Sequence, residues 1–433
     1  MNLILLELNE INFEVAKYYI DDGEELPGFK KLFDNGVHST ESEHKYSNLE
    51  PWIQWPSVHT GKSYEEHGVF RLGDFINSDQ EQFFEKVERA GYKVGAISPM
   101  NASNRLKNPT YFIPDPWTQT SSDDSYFSKS ISKAINQAVN DNSKSKLTIT
   151  TILNLCFAFI ALVSPLRYFS MMKYALGCFG KPWRKALFLD MFLYEVHKKL
   201  LKKNKTNFST LFLNAGAHIQ HHYFFNSPFV KSDELQNPSW YIGHDQDPIL
   251  EMLRVYDLML LDLLDIKNSE IIIATGLSQK PYEKLKFYYR LKEHNTFLKN
   301  MGLDFIKVEP RMTRDFLISF NSLEKADLAE EKLASILVNN KHRLFDEIDN
   351  RGTDIFVVLS YPYEITEKTV ITINGNDFKL KDLVTFVAIK NGEHQSKGFS
   401  YFSKNLLKYS PKNESHVSAI HKTVLDFFGI NNG

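Results

Sequence analysis

Short apolar runs that end in polar residues recur along the chain, and they restrict the possible fold more than any other feature of the sequence. Helix-like segments such as 248–265 lie between them and provide the crossovers that parallel strands need. Continuous apolar runs are typical of strands buried on both faces of a parallel sheet. We therefore predict an α/β fold with a mostly parallel central sheet sandwiched by helices. The clearest runs are "LILLEL" at 3–8, "STLFLNAG" at 209–216 and "EIIIATG" at 270–276.

The alternation of strands and helices stops between residues 120 and 205. Here a Ser-rich stretch, "TSSDDSYFSKSISK", is followed by a long apolar segment and then by the basic "HKKLLKKNKTN". We predict a helical, partly apolar insertion over 120–205, set into an α/β core formed by 1–119 and 206–433. A chain of 433 residues is long enough for such a core with an inserted subdomain.

The apolar part of the insertion is "LTITTILNLCFAFIALVSPL" at 147–166, which carries no formal charge. Its length meets the criterion for a membrane-crossing helix, although Thr, Asn and Ser residues dilute it. Three interpretations stay open: a buried or partner-covered helix, contact with a membrane interface, and a true span. The residues that follow mix Arg, Lys, Trp and Phe as interfacial segments do. Peripheral membrane contact through 147–190 is therefore one expectation.

The charge and the cysteine content limit the kinds of binding partner and the cellular location that we expect for the protein. The 51 basic and 53 acidic residues give a formal net charge of -2, which does not favour nucleic acid as a partner. Cys156 and Cys178 lie in apolar surroundings, so we expect buried thiols in a reducing compartment, with no disulfide and no thiolate metal site. The N-terminus lacks the features of a signal peptide. We expect a cytoplasmic protein, with membrane association left open.

The stretch "EPWIQWPSVHTGKSYEEHGV" concentrates Trp, Pro and His, which suits either a specialised piece of core or the rim of an active site. Glu50 and Gln54 are four positions apart and share a face if the segment is helical, so both are candidate catalytic residues. His59 is a third candidate, able to face the same pocket. Trp55 is expected to form the pocket wall or the core. Ser57 is expected to contact the substrate, or to replace a nucleophile if a base lies in reach.

Several segments resemble, in order, those of the alkaline phosphatase superfamily in its type I phosphodiesterase and nucleotide pyrophosphatase branch. "TGKSYEEHGV" resembles the turn after the nucleophile-bearing helix, and "LFLNAGAHIQHH" the strand that ends in Asp and His ligands. "YDLMLLDLLDIKNSEIIIATGLS" is similar to the helix and strand that end in Ser-Asp-His-Gly, and "GEHQSKG" to the late turn with a ligand His. The matching pieces run from residue 3 to residue 430. The resemblance implies the fold of that superfamily and phosphoryl or sulfuryl chemistry assisted by two metal ions.

The resemblance also implies that the ligand positions of the family carry changed residues here. One metal site is dismantled, since amide and hydroxyl oxygens bind a divalent cation weakly. The other is rewritten as His218, His222 and His394, three imidazoles that suit zinc. Histidines can also carry charge or move protons without a metal, and we expect His221 to point elsewhere. The family's ligand and nucleophile positions correspond, in chain order, to Asn9, Pro51, His218, His222, Thr275, Gly276 and His394.

Polar groups at the ends of the predicted strands complete the candidate pocket. Alternation along the first strand puts Glu7 and Asn9 on one face and Glu10 on the other. Glu7 is therefore the expected acid or base, and Asn9 an expected substrate contact. The loop "ATGLSQKPY" offers side chains that hydrogen-bond a sugar or a phosphate well and hold a cation badly. The substrate-binding candidates in this loop are Thr275, Ser278 and Gln279.

These residues favour an enzyme that hydrolyses or transfers a phosphoryl-type or sugar-linked group. The expected substrate is a small molecule or glycan with an anionic group, such as a lipid-linked or surface-glycan intermediate. The expected cofactor is one divalent metal, zinc or manganese, or none. Two alternatives stay open, because a fold does not fix a function. They are a catalytically diverged binding protein, and a metal-independent transferase with Glu7, Glu50 or a histidine as its base.

Overall fold

A computed structural model of the chain describes residues 2–140, 148–311 and 314–431. Contacts between residues divide it into two compact units. The boundaries between these two units differ from the limits of the predicted insertion over 120–205. Those limits therefore stay a prediction. The first unit contains Met1–Val230, Asp245–Pro281 and Gly392–Gly433, and the second contains Lys231–His244 and Tyr282–Asn391.

The strands and helices of the described residues are numbered in chain order. The strands are β1 (Asn2–Leu8), β2 (Val37–Glu41), β3 (Val94–Ile97), β4 (Tyr111–Ile113), β5 (Phe208–Leu213), β6 (Ser269–Ala274), β7 (Ser278–Leu291), β8 (Lys307–Pro310), β9 (Asp315–Ser319), β10 (Leu337–Val338), β11 (His342–Arg343), β12 (Glu347–Asn350), β13 (Asp354–Val358), β14 (Val370–Ile373), β15 (Asn376–Lys379), β16 (Val384–Gln395), β17 (Lys397–Phe402) and β18 (Ser415–His416). The helices are α1 (Phe13–Asp21), α2 (Pro27–Asn35), α3 (Pro51–Thr60), α4 (Tyr64–His67), α5 (Phe83–Arg89), α6 (Tyr126–Asn140), α7 (Ile149–Leu162), α8 (Tyr168–Gly177), α9 (Arg184–Asn204), α10 (Ala215–Tyr223), α11 (Pro248–Leu264), α12 (His294–Asn300), α13 (Leu323–Ala334), α14 (Leu380–Leu383) and α15 (Ala419–Phe427).

Eight strands form the central sheet of the first unit, in the order β18-β2-β17-β6-β1-β5-β3-β4. β1 pairs in parallel with β5 and β6, and β3 pairs in parallel with β4 and β5. β17 runs antiparallel to β2 and β6. Helices flank this sheet, and the side chains of Leu3, Ile4 and Leu5 in β1 are completely buried. The predicted α/β class with a mostly parallel central sheet is confirmed.

The carboxyl ends of three neighbouring parallel strands meet at one edge of this sheet. β1, β5 and β6 end close together in register, at Leu8, Leu213 and Ala274. The polar residues beyond them, among them Asn9 and Asn214, therefore lie side by side although the sequence separates them by 205 positions. Ligands of open α/β sheets bind at such an edge.

Helices α6 to α9 occupy the sequence between β4 and β5. The helical segments Ile149–Leu162 and Pro165–Gly177 are bent relative to each other by 114°. In the described ranges, no single helix is long and apolar enough to cross a membrane, whereas this bent pair meets the criteria of length and composition when its two members are taken together.

The prediction of two buried thiols is wrong. Cys156 on α7 is exposed, and Cys178, which follows α8, is partly exposed. Cys178 Sγ donates to the carbonyl of Ala175 at 2.8 Å. Apolar neighbours in the sequence did not imply burial here, because α7 leaves much of its own apolar surface uncovered.

The second unit contains two four-stranded sheets, ordered β11-β10-β14-β15 and β12-β13-β9-β8. The pairs within them are antiparallel. Its apolar core includes Phe316, Ile318, Ile355 and Val357. β7 and β16 pair with each other, and their sequence ranges fall in both units. All site residues predicted above lie in the first unit.

Candidate metal and active site

Three side chains from distant parts of the sequence converge beside the carboxyl edge of the sheet. Glu10 Oε2 lies 3.0 Å from His394 Nε2 and 3.1 Å from His221 Nε2, and the two imidazole nitrogens lie 3.2 Å apart. We call Glu10, His221 and His394 the triad. Four ligands at about 2.0 Å around zinc are separated by edges of about 3.3 Å. The three atoms of the triad are thus spaced as ligands of one small cation.

Glu10 reaches this position through an unusual backbone conformation. Its φ is 62°, in the left-handed region that residues other than glycine rarely adopt. Its N–H donates to the Thr275 carbonyl at 3.0 Å, and its own carbonyl accepts from the Gln279 N–H at 3.2 Å and from Gln220 Nε2 at 2.8 Å. Strained backbone that its surroundings hold in place clusters at functional sites. The predicted separation of Glu10 from Asn9 is wrong because β1 ends before both residues, and Asn9 Nδ2 donates to Glu10 Oε1 at 3.0 Å.

Electrostatics favour an ionised carboxylate at the centre of the triad. Burial alone would raise the pKa of Glu10, but His394 and His221 hold the pKa of that carboxyl well below its usual range. Burial alone would lower the pKa of His394, but Glu10, and after it Glu50, raise that pKa to about 9. A proton and a metal ion compete for such a nitrogen, and a carboxylate that is already ionised binds a cation without losing a proton.

Glu50 supports His394 from the side opposite Glu10. Glu50 Oε2 lies 3.6 Å from His394 Nδ1, and the Glu50 side chain is 31% exposed. The residue stands directly before the first helical residue of α3, Pro51. A carboxylate near the second nitrogen of a ligand histidine orients the ring and raises its basicity. The structure therefore brings the predicted catalytic candidate Glu50 to the edge of the triad.

Buried residues outside α10 fix the end of the helix that carries His221. Asp190 on α9 accepts the N–H of Ala215 at 2.8 Å. The Tyr256 hydroxyl donates to Asp190 at 2.7 Å and accepts the N–H of Gly216 at 2.9 Å. Burial raises the pKa of Asp190 to about 6. The first turn of α10 thus has partners for two of its otherwise unpaired N–H groups, and the direction of the helix is set.

The expected ligand set of His218, His222 and His394 is not assembled. The rings of His218 and His222 pack against each other with centroids 4.6 Å apart, whereas His221 packs against His394 at 5.0 Å. Consecutive residues of an α-helix point about 100° apart, and Glu10 lies on the side of α10 to which His221 points. This placement corrects both the expected set and the expectation that His221 points elsewhere.

Asn9 connects the triad to α3 and to the end of β5. Its Oδ1 accepts from Trp55 Nε1 at 2.8 Å, and its Nδ2 donates to Glu10 Oε1 at 3.0 Å and to Asn214 Oδ1 at 2.8 Å. Its amide oxygen and nitrogen thus both have protein partners, which suits a residue that positions Glu10. Trp55 is completely buried and packs against Phe212. Of the two expected positions, pocket wall or core, it therefore occupies the core.

Glu7 and His59 face each other inside the apolar core. Glu7 Oε1 and His59 Nε2 lie 3.0 Å apart, and neither side chain has any exposed surface. His59 packs against the rings of Phe83 and Phe84. The structure does not place these two predicted catalytic residues at the site, because Glu7 still lies within β1 and its side chain points into a helix-covered face of the sheet.

Ser57 is buried beside His67, but the two are not arranged as nucleophile and base. The Val69 N–H donates to His67 Nδ1 at 3.0 Å, which leaves the ring proton on Nε2, the nitrogen 3.0 Å from Ser57 Oγ. A base needs a free lone pair at that nitrogen. Ser57 Oγ donates to the Ile53 carbonyl at 3.3 Å, and burial lowers the pKa of His67 to about 4. The pair shapes the end of α3, which corrects the expected substrate contact of Ser57.

Gln279 is a predicted binding residue that the structure does bring to the triad. Its Nε2 donates to Glu10 Oε2 at 2.5 Å and to the Ala217 carbonyl at 3.0 Å. It orients the carboxylate, so its role is positioning. Gln54, by contrast, donates from Nε2 to the Asn48 carbonyl at 2.9 Å. Gln54 therefore holds the chain before α3, and the structure shows no contact between it and the triad.

Thr275 and Ser278 are bound to neighbouring backbone. Thr275 Oγ1 accepts the N–H of Phe399 at 2.8 Å. Ser278 Oγ donates to the Lys397 carbonyl at 2.5 Å and accepts from Gln395 Nε2 at 2.8 Å. These contacts join the segment after β6 to β17, which corrects the expectation that both hydroxyls face a substrate.

The sequence alone assigns no role to Glu10 and predicts that His221 points away from the site. The signal that could have identified them is the pair of polar positions directly beyond a buried strand. Glu10 follows Asn9 there, and "HIQHH" follows the strand at 209–213. A turn after a strand breaks the alternation of faces, so any of these side chains could have reached the edge of the sheet.

The sequence model of the family described as type I phosphodiesterase / nucleotide pyrophosphatase matches residues 15–266. Among solved structures the chain is similar to phosphonoacetate hydrolase from Sinorhizobium meliloti 1021 in complex with phosphonoformate, with 13% identity, a TM-score of 0.44, and coverage of 98% of this chain and 95% of that chain. It is also similar to murine ectonucleotide pyrophosphatase / phosphodiesterase 5, with 12% identity, a TM-score of 0.42, and coverage of 100% and 96%. A third similar structure is alkaline phosphatase from the Antarctic bacterium TAB5, with 10% identity, a TM-score of 0.40, and coverage of 100% and 99%. No curated protein matches the sequence at a significant level.

Proposed function

Because the chain belongs to the type I phosphodiesterase / nucleotide pyrophosphatase family, we propose that it hydrolyses a phosphoester bond of a small anionic substrate at the triad. The single observation that carries this proposal is the convergence of Glu10 Oε2, His221 Nε2 and His394 Nε2 within 3.2 Å of one another. One carboxylate with two imidazoles is a common set of protein ligands for catalytic zinc.

The residues of the triad fit a divalent cation, and we assign them to a single zinc ion. Glu10 supplies a negative charge, and the Asn9 and Gln279 amides orient that carboxylate. When bound, the cation would supply fixed positive charge against the charge that develops on a phosphoryl group and would lower the pKa of a water molecule. Three ligands of the protein leave the fourth position of a tetrahedral site for substrate or water.

The resemblance to the family puts its nucleophile position near Pro51, which has no hydroxyl group. On α3 the hydroxyl of Thr60 donates to the Pro56 carbonyl at 2.7 Å, and Ser57 faces His67. We infer that water attacks phosphorus directly, with Glu50 as general base. The water oxygen forms the new P–O bond, Glu50 accepts the proton from that water, and the ester P–O bond breaks. The leaving oxygen takes a proton from solvent.

We further propose which substrate carries the phosphoester and which group accepts the phosphoryl group. A lipid-linked phosphate or a surface glycan with an anionic group would present the same phosphoester to the triad. A sugar hydroxyl in place of water would turn hydrolysis into transfer, with Glu50 again accepting the proton.

The test measures metal content and turnover on the full chain. We expect about one zinc per chain by inductively coupled plasma mass spectrometry, and hydrolysis of bis(p-nitrophenyl) phosphate that a chelator abolishes. His221→Ala should lose both, and His222→Ala, one residue further along α10, should keep both. Turnover that persists after complete removal of metal would overturn the proposal.

A second candidate function, binding without catalysis, is favoured by the loss of a hydroxyl at Pro51. It predicts the same zinc content and the same loss of metal in His221→Ala. It differs in that no phosphodiester is hydrolysed at any pH or metal concentration. Turnover that Glu50→Gln lowers would exclude it.

A further inference from the structure

Helices α7 and α8 leave apolar side chains exposed in one stripe along each helix. On α7 the exposed residues recur at intervals of three and four, the spacing of one helical face. On α8 and the residues at its two ends the spacing is the same, and three side chains are almost fully exposed: Leu166 at 93%, Phe179 at 91% and Phe169 at 87%. We call these residues the α7–α8 surface. Its members are Ile149, Ile152, Leu153, Phe157, Ile160, Leu166, Phe169, Met172, Leu176 and Phe179.

The sequence segment that carries this surface has charged residues of one sign only. Residues 148–189 contain no Asp and no Glu, whereas they contain five Arg and Lys residues. Lys173 lies on α8 itself and Lys185 lies on α9 near its start, and both are exposed. Arg167 pairs with Glu195 and Asp262, and Arg184 with Glu251, all from neighbouring helices. An apolar surface with exposed lysines beside it is complementary to a membrane with anionic headgroups.

The lengths of the two helices favour a position in the plane of a membrane. The 14 residues of α7 extend about 21 Å at 1.5 Å per residue, which is less than the roughly 30 Å of the hydrocarbon layer. The bend of 114° between the two segments lets both rest on one surface without crossing it.

A cavity of about 480 Å³ lies between helices α6, α7 and α9 and the carboxyl edge of the sheet. Most of its lining is apolar and comes from α6, α7 and α9, including Ile135, Leu155 and Phe188. Leu155 belongs to the helix that carries the exposed stripe. The helix that carries the exposed stripe thus also forms part of the cavity wall.

The cavity is also next to the triad. Asn214 lines it, and Asn214 Oδ1 accepts from the Asn9 Nδ2 that donates to Glu10 Oε1. His218, one helical turn before His221, lines the cavity as well. An apolar chain held in the cavity would therefore end close to a phosphate group held at the triad.

We propose that the α7–α8 surface docks on an anionic lipid bilayer and that the cavity receives the apolar chain of an amphiphile whose phosphate is the substrate. The substrate class is thus a phosphate ester with a long apolar chain. This proposal rests on the proposed function for the fate of the phosphate, whereas docking and chain binding are measured without turnover.

Docking is tested by sedimentation of the full chain with vesicles of phosphatidylglycerol and phosphatidylcholine, and with vesicles of phosphatidylcholine alone. We expect binding to the anionic vesicles, with at least tenfold lower affinity in the triple variant Leu166→Ser, Phe169→Ser and Phe179→Ser. The control is Ile306→Ser with Leu323→Ser, two exposed apolar residues of the second unit, at 65% and 60%. Docking would be overturned if the triple variant and the control bound the anionic vesicles equally well. It would also be overturned if the unsubstituted chain formed a dimer that did not bind vesicles and that the three substitutions dissociated.

A fluorescent probe locates the contact without relying on loss of binding. Cys156 on α7 is exposed and can carry an environment-sensitive dye in a Cys178→Ser background. We expect the emission to shift to shorter wavelength when anionic vesicles are added, since the dye enters an apolar layer. An unchanged spectrum in a sample that does bind vesicles would place the contact elsewhere and overturn the proposal.

The cavity is tested with dodecyl phosphate and ethyl phosphate as probes. We expect dodecyl phosphate to bind at least tenfold more tightly, and Ala186→Trp, which fills the cavity, to remove that difference. Ala334→Trp, a helical and partly exposed alanine in the second unit, should keep it. Equal affinities of the two probes for the unsubstituted chain would overturn chain binding. If the protein docks on vesicles and binds the apolar chain but does not hydrolyse a phosphodiester, only the proposed function is contradicted.

Discussion

Glu10 Oε2 and His394 Nε2 lie 3.0 Å apart although 384 positions separate the two residues in the sequence. The contact exists because β1 ends beside β6, and β6 pairs with β17, which begins three residues after His394. The triad therefore depends on pairing between the first and last parts of the chain, and its predicted properties can be tested one residue at a time.

Replacing Glu10 by Gln should lower zinc affinity at least tenfold. The amide keeps the size of the side chain but removes the only negative charge of the triad, and neutral oxygens bind a divalent cation weakly. Isothermal titration with zinc measures the change. Glu14→Gln, on the exposed side of α1, is the matched control. If both variants bind zinc as the unsubstituted chain does, Glu10 is not a ligand.

Replacing Glu50 by Gln should reduce kcat for a phosphodiester by about 10²- to 10⁴-fold, the usual contribution of a general base. At saturating zinc, the zinc content should stay near that of the unsubstituted chain, because Glu50 Oε2 lies beside the His394 nitrogen turned away from Glu10 and is not one of the three ligand atoms. Steady-state kinetics and metal analysis on the same sample separate the two effects. Loss of zinc together with turnover would make Glu50 a residue that positions His394.

Breaking the Glu7–His59 pair should destabilise the fold without altering the triad. Both groups are completely buried, so removal of one partner leaves a buried polar group alone, at a cost of about 3–5 kcal/mol. We expect that loss for Glu7→Leu in urea denaturation, and a smaller loss for Glu7→Leu combined with His59→Leu. A double variant less stable than the single one would contradict this account.

Replacing Gly216 by Ala should destabilise the protein by about 1–3 kcal/mol, the usual cost of overpacking. A Cβ at this position would lie 1.9 Å from Ile11 Cδ1 and 3.0 Å from a ring atom of Tyr256. The residue lies in the first turn of α10, so zinc affinity should also fall as His221 is displaced. Ile11→Val removes that methyl group and should restore part of the stability when combined with Gly216→Ala. No recovery would show that Ile11 is not the obstacle.

His197 should make stability depend on pH below neutrality. Burial lowers its pKa to about 3, whereas in the unfolded chain the pKa is about 6.5. Between these values the unfolded state binds the extra proton, so the free energy of unfolding falls as pH falls, by about 2 kcal/mol at pH 5. Asp190, with a pKa raised to about 6, acts in the opposite direction, so the comparison needs a variant.

His197→Gln provides that comparison because it keeps a polar partner for Ser209, which lies 2.7 Å from His197 Nε2. Thermal unfolding at pH 7.5 and pH 5 should show a smaller drop in stability for the variant than for the unsubstituted chain. Equal drops would mean that His197 is protonated in the folded state at pH 5.

The sequence by itself determined the elements of the α/β core, because the burial of each element can be recognised from the residues of that element alone. A strand covered on both faces must be apolar throughout, and a helix at the surface must repeat at 3.6 residues. The pattern therefore identified β1, β5, β6 and α11 close to their observed limits. It also identified the turns in which the site lies, since polar residues follow buried strands there.

Only the tertiary structure decided which polar side chains meet. The left-handed backbone at Glu10 and the direction of α10 set by Asp190 and Tyr256 bring Glu10 and His221 to His394. The same packing turns Glu7 and His59 inward. The physical reason is that the direction of a side chain after a strand or along a helix is set by long-range contacts with partners such as β17 and α9. Residue type and spacing carry no information about those contacts.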